Sequence, residues 1–217
     1  MELIRGISGI RGIVGKSLTE PVIIKHIQAF SEIQSAGDIL LARDSRTHGE
    51  SFIHTAAEAL SKCGRKVIVY DIIPTPTAQF LVEKNNMAGG IVITASHNPL
   101  EWNGLKFIDK DGCFLDSNKN IKLFELADSD PPAKHNTGSI QSIENGYLPH
   151  ITHTRGLSVI DTKAIEERNF SIVVDAVNGA ASKALPTMVK HWAAPFFVSI
   201  ASPMGNSLEE PSLYRII

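Results

Sequence analysis

The chain has 217 residues, 43% of them hydrophobic and 20% charged, with a formal net charge of −2. This is ordinary globular composition, and the length suits one full domain plus part of a second. No Lys/Arg run exceeds two residues and no apolar run approaches a bilayer's thickness, so neither nucleic acid nor a membrane is expected as a partner.

The N-terminus, Met-Glu-Leu-Ile-Arg, lacks the basic-then-apolar layout of a secretory signal. Cys63 and Cys113 have no metal-type spacing and read as reduced thiols, which fits a cytoplasmic protein. Residues 3–14 mix glycine with branched apolar residues and predict an extended segment crossing a glycine-rich bend. Gly15-Lys16-Ser17 invites a phosphate-loop reading, but that motif needs glycine at position 10, which is Ile10. A nucleotide P-loop is therefore rejected.

Thr19 is a candidate N-cap and Pro21 suits a first helical turn, so residues 21–35 predict a helix, stopped by Gly37. Asp38–Ala42 reads as a buried strand. It leads into the loop Arg43-Asp-Ser-Arg-Thr-His-Gly49. Glu50–Lys62 predicts a second helix closed by Gly64, Lys66–Asp71 a strand, and Thr75 to Lys84 a third helix. Gly89-Gly90 then opens the β-branched run Ile91-Val-Ile93, which suits a buried strand.

That strand ends in Thr94-Ala-Ser-His-Asn-Pro99. Pro99 pushes Asn98 toward extended backbone. Ser96 and His97 thus fall on a constrained loop at a strand's C-terminal end, where ligand crevices form in open α/β sheets. Side chains of neighbours in an extended loop point to opposite sides, and no G-x-S-x-G elbow is present. A Ser-His hydrolase is a poor fit. Turn chemistry alone is the plainer reading of Ser96 and Asn98.

Leu105–Ile108 predicts a strand, Asp109–Gly112 a hairpin turn with Cys113–Leu115 as its return, and Ser117–Leu126 a helix. Residues 128–138 form a polar turn segment. Residues 143–168 look helical, are interrupted at Gly156, and link domains. His150 and His153 share a face but lack companions for a metal site, so they read as surface histidines. Phe170–Asp175 is a strand, followed by Ala176-Val-Asn-Gly-Ala180, a helix to about His191, and a strand from Pro195 to Ile200. The alternation predicts an α/β fold with a mixed sheet between helix layers. Residues 1–142 make the first domain, and 143–217 a linker helix and an incomplete second domain of the same type. The strand edges of that short second part are expected to be exposed or covered by another chain, as in a homodimer.

Thr94–Pro99 followed by Asn103-Gly-Leu-Lys106 closely resembles the phosphoserine loop of the α-D-phosphohexomutases. Ser8-Gly-Ile-Arg-Gly12 resembles that family's first active-site segment. Ala42-Arg-Asp-Ser-Arg46 resembles its Gly-Arg-Asp-Thr-Arg element. The resemblance implies that hexose 1-phosphate and hexose 6-phosphate are interconverted through a bisphosphate, with Ser96 carrying the phosphoryl group. It points to phosphoglucomutase or phosphomannomutase chemistry, with phosphoglucosamine mutase the alternative within the family.

By the same resemblance, Ser96, His97, Lys106 and Arg11 are the catalytic candidates, and Arg11, Asn98 and Lys106 the substrate-binding ones. A phosphoserine carries nearly two negative charges, so cations must gather around it. The alternatives are a solvated Arg11 and a surface Lys106. Arg43, Asp44 and Arg46 read as an ion-pair scaffold under the site, since guanidinium forks bind carboxylates. The family also implies Mg²⁺, reached by Ser96 through its phosphate, and glucose 1,6-bisphosphate as activator. Its acidic Asp-Gly loop is not found, and no Asp follows Asp175. A second reading is therefore a truncated, non-catalytic fragment acting at most as a binding module.

Overall fold

The computed structural model describes residues 2–129 and 135–190, and the backbone of one further strand at 197–199. In chain order the elements are β1 (Ile4–Gly6), β2 (Gly9–Ile13), α1 (Glu20–Ile33), β3 (Ile39–Arg43), α2 (Gly49–Lys62), β4 (Lys66–Ile72), α3 (Thr75–Lys84) and β5 (Gly89–Ile93). They continue with β6 (Trp102–Asp109), α4 (Ser117–Asp128), β7 (Ser139–Ser142), α5 (Leu148–Arg155), α6 (Thr162–Glu167), β8 (Val173–Asp175), α7 (Ala184–Lys190) and β9 (Phe197–Ser199).

A seven-stranded mixed sheet has the order β1-β2-β6-β5-β3-β4-β7. β5, β3, β4 and β7 are parallel, while β1, β2, β6 and β5 are joined by antiparallel pairings. The two-residue period of the strands sorts their side chains between two cores. Ile39, Leu41, Ile91, Ile93, Leu105 and Phe107 pack under α1, α2 and α4, with Phe107 stacked on Phe30 at 5.2 Å. Leu40, Ala42, Ile68, Val92 and Ile108 face the opposite side, against Ala78, Leu81 and Val82 of α3. Strands covered on both faces read as continuous apolar runs, as β3 and β5 do. The fold is therefore α/β, with a mixed sheet between helix layers. β8 and β9 pair in parallel as a separate two-stranded sheet, with Val174 and Val189 forming a small core of their own.

Several expectations need correction. The turn at Asp109–Gly112 closes, but its return is only a bridge between Phe114 and Ile108. Asp116 caps α4 immediately afterward by accepting from the Lys119 amide at 2.8 Å, so no strand can continue. β6 starts at Trp102 rather than Leu105, because β2 and β5 flank it on both sides. Gly104 is needed there, since a Cβ would land on the Ile10 carbonyl oxygen and lie 3.0 Å from that of Thr94. Thr19 does precede α1, but its side chain makes no capping bond.

β7 was not predicted. Its polar Ser-Ile-Gln-Ser is wholly exposed at the sheet edge and carries no periodic signal. The linker is helical only over α5 and α6, with Gly156 ending the first. β8 begins at Val173, three residues later than expected. The predicted polar segment and the predicted strand from Pro195 to Ile200 each lie partly outside the described residues, the strand being described only at 197–199.

Candidate active site

β5 and β3 run in parallel and end together, where the Asp44 amide donates to the Ile93 carbonyl at 3.0 Å. The loops that leave these ends are tied to one another by side chains. Thr94 Oγ1 donates to Asp44 Oδ2 at 2.6 Å and accepts from the Ser96 amide at 3.0 Å. Asp44 also accepts from the Arg46 amide at 3.0 Å and from Arg46 Nε at 3.3 Å.

Arg46 is buried at 7% exposure. Its remaining donors reach four backbone carbonyls: Ser96 at 3.0 Å, Asn98 at 2.6 Å, Pro99 at 2.8 Å and Trp102 at 3.1 Å. A buried guanidinium is tolerable only when paired and fully hydrogen-bonded, and this one is both. Arg46 and Asp44 thus form the scaffold under the loop. Arg43 does not share in it as expected. Its Nε donates to Asp71 at 2.5 Å, and only a longer bond, 3.3 Å, reaches the Asp44 carbonyl. It lines a separate cleft of about 560 Å³, together with Asp71, Tyr70 and Tyr147.

Ser96 has a φ of 58°, the left-handed region. For a residue with a Cβ this costs roughly 1–2 kcal/mol, so surrounding bonds must hold it. The consequence overturns the expectation for an extended loop. The turn brings Ser96 Oγ to 3.3 Å from His97 Nδ1, and both residues are exposed.

Arg11 on β2 and Lys106 on β6 face the same cleft of about 150 Å³ as Ser96 and His97. Arg11 Nη1 donates to Asn98 Oδ1 at 3.1 Å, which leaves its other nitrogens uncommitted among the described residues. Lys106 is half-buried, with Nζ 5.5 Å from the centre of the Phe114 ring. Burial pushes its pKa down from 10.5, and the Arg11 charge pushes the same way, while Asp44 partly opposes them. Ser8 also lines the cleft. It is carried there by the bend before Gly9, whose φ of +119° excludes other residues. Thr94 and Ser8 were not singled out by sequence reasoning. Thr94 had a usable signal, a hydroxyl two residues before the amide it caps.

His150 is not the plain surface residue expected. Its ring stacks on Phe80 at 4.7 Å and its Nδ1 lies 3.0 Å from Thr77 Oγ1, while His153 approaches the same ring at 4.9 Å. Among the described residues no group of three His, Cys, Asp or Glu side chains could hold a metal ion. No helix among them is long and apolar enough to cross a membrane.

Known proteins share this sequence pattern and this fold. The family model described as phosphoglucomutase/phosphomannomutase, alpha/beta/alpha domain I, matches residues 2–132. A phosphoglucosamine mutase of Clostridioides difficile is 29% identical over 212 residues, covering 94% of this chain and 46% of that protein. A phosphoglucomutase/phosphomannomutase of Thermococcus kodakarensis is 31% identical over 208 residues, covering 93% and 45%. The chain thus spans about half the length of the curated relatives it matches. The crystal structure of a phosphoglucomutase/phosphomannomutase family protein from Burkholderia thailandensis has a TM-score of 0.76 at 23% identity, covering 96% of this chain and 46% of that one, and so shares the fold. With the match running from β1 through α4 and enclosing the Ser96 cleft, this chain belongs to the phosphoglucomutase/phosphomannomutase family.

Proposed function

We propose that Ser96 is a phosphoryl carrier for hexose phosphates, in the manner of a phosphohexomutase. The observation that carries this reading is the exposed Ser96 hydroxyl, in one cleft with Arg11, His97 and Lys106. Phosphoryl transfer asks for alignment and charge neutralisation more than covalent help. In the outward step a sugar hydroxyl attacks the phosphorus, the bond from phosphorus to Ser96 Oγ breaks, and the phosphoryl passes to the sugar. The attacking hydroxyl loses its proton and the serine oxygen regains one.

His97 Nδ1, at 3.3 Å, is placed to exchange the proton of Ser96. Lys106, whose pKa burial and the Arg11 charge pull below its ordinary value, adds positive charge to the same cleft, and the proton of the sugar hydroxyl leaves to solvent. Arg11 supplies fixed positive charge beside Asn98, and Asp44 with Arg46 holds the loop in place. The Mg²⁺ implied by the family resemblance does not fit a site built from the described residues alone, which offer no cluster of ligands. Mg²⁺ requires several oxygens in near-octahedral array, and a phosphate on Ser96 supplies only part of one.

Glucosamine phosphates are the first substrates to test, because the Clostridioides difficile relative is a phosphoglucosamine mutase; glucose and mannose phosphates come second. The test incubates the chain with the corresponding hexose 1,6-bisphosphates and follows intact mass. Gain of one phosphoryl group, absent in Ser96→Ala, is expected. A chain that stays unmodified with every bisphosphate overturns the carrier reading and leaves a binding module.

A further inference from the structure

The Arg46 guanidinium gathers the carbonyls of Ser96, Asn98, Pro99 and Trp102 on the buried side of the loop. A trans peptide is planar, so its N–H points opposite to its C=O. Each carbonyl drawn inward therefore turns the next amide outward. After Asn98 the next residue is Pro99, which has no N–H. After Ser96 the next is His97, and its amide donates to no atom among the described residues. By contrast, the Ser96 amide is held by Thr94 and the Asn98 amide by the Ala95 carbonyl. The His97 N–H is thus a free donor next to the Ser96 hydroxyl, directed away from Arg46 at the exposed end of the loop. Anion-binding concavities are built from backbone N–H groups in turn conformations facing the anion, and the His97 amide offers one such donor.

We propose that Arg46 is a positioning residue that turns the His97 backbone amide toward the phosphoryl group on Ser96, making that amide a donor to a phosphoryl oxygen. The proposal rests on Ser96 as carrier and adds a backbone contact to it. Arg46 itself touches no substrate; it acts through the peptide between Ser96 and His97. A donor fixed in advance stabilises charge that develops during transfer without reorganising at that moment. Lysine is no substitute, since its compact ammonium does not present the planar fork that reaches several carbonyls together.

The test uses the full chain labelled with ¹⁵N-histidine, whose eight histidines give a readable set of amide resonances. His97→Gln assigns the one that matters. Inorganic phosphate is titrated against chloride at matched ionic strength. In the wild type the His97 amide is expected to move downfield, the sense of a new hydrogen bond. In Arg46→Met the shift is lost while melting stays cooperative. In Arg46→Lys, which keeps the charge and serves if the methionine variant does not fold, the shift is reduced. A His97 amide that ignores phosphate in the wild type overturns the proposal, as does a shift of full size in Arg46→Lys. The titration needs no covalent transfer. If bisphosphates fail to modify Ser96 while the amide still responds to phosphate through Arg46, the carrier reading falls, and Arg46 then positions the amide for a bound phosphate rather than for a phosphoryl group on Ser96.

Discussion

His97 Nδ1 stands 3.3 Å from Ser96 Oγ, although the two residues are neighbours in sequence. In extended backbone they would diverge. The left-handed φ of 58° at Ser96 brings them together. A base beside the carrier hydroxyl shortens the path of the serine proton. His97→Gln keeps a hydrogen-bonding group but cannot exchange a proton near neutral pH. Phosphoryl uptake by Ser96 from a hexose bisphosphate is therefore expected to slow by roughly 10²–10⁴-fold, the usual weight of a general acid or base. A mass-spectrometric time course reads it; an unchanged rate would remove His97 from the proton path.

Lys106 and Arg11 are coupled through charge. The folded protein holds Lys106 below its ordinary pKa of 10.5, through burial first and the Arg11 charge second. Below the folded pKa the ammonium is charged in both states, and the folded state carries the cost of burying it. That cost fades as pH rises through the folded value toward 10.5. Lys106→Met never carries the charge and is expected to raise the melting temperature at neutral pH by a few degrees at most, while uptake of phosphoryl groups falls. Arg11→Met is expected to move the Lys106 titration upward, because one like charge is gone. ¹³C NMR of the lysine ε-carbon checks it; a Lys106 midpoint that stays put would mean burial alone sets it.

Much of this was legible in the sequence, for physical reasons. The long helices and the doubly buried strands declare themselves by periodicity: Thr75–Lys84 matches the expected helix, and Ile91-Val-Ile93 lies where the apolar run placed it. β7 was hidden because an exposed edge strand needs no apolar alternation. The candidate site was legible where chemistry sits in side chains of a recognisable motif, as at Ser96 and Lys106. It was not legible where backbone conformation decides. Nothing local states that Ser96 is left-handed, that Arg43 turns to Asp71 instead of Asp44, or that Arg46 reaches carbonyls some 50 positions away.

The stack of His150 on Phe80 joins α5 to α3, and its pH dependence has a definite sign. Burial lowers the His150 pKa from 6.5, and the neighbouring His153 lowers it further. Lys84, on α3, lies 5.4 Å from the centre of the same Phe80 ring. The docked helix therefore prefers neutral imidazole. Its docking contribution is fully present above the unfolded value of 6.5 and is lost as pH falls below it, where the undocked state binds the proton more readily. Hydrogen exchange of α5 amides, corrected for intrinsic rates, should speed up below that value in the wild type. His150→Phe, which keeps the stack and cannot titrate, should remove the pH dependence. Exchange that is equally pH-dependent in the variant would assign the effect to another group.

Asp44 carries the last prediction, because it holds Thr94 at 2.6 Å and pairs with an Arg46 side chain that is 8% exposed. Asp44→Asn keeps the shape but leaves the guanidinium with carbonyl partners and no counter-charge. Breaking a buried pair from one side costs about 3–5 kcal/mol. The four carbonyl bonds of Arg46 keep its charge partly solvated, which places this variant near the lower end, about 3 kcal/mol. Thr94→Val removes the hydroxyl that links Asp44 to the Ser96 amide and should cost about 1–2 kcal/mol. The two share one network, so the double variant should lose less than the sum, with a coupling of about 0.5–3 kcal/mol. Urea unfolding of the four proteins closes the cycle. Strict additivity would mean that Thr94 and Asp44 hold the Ser96 loop independently, and that their hydrogen bond does not link the β3 loop to the β5 loop.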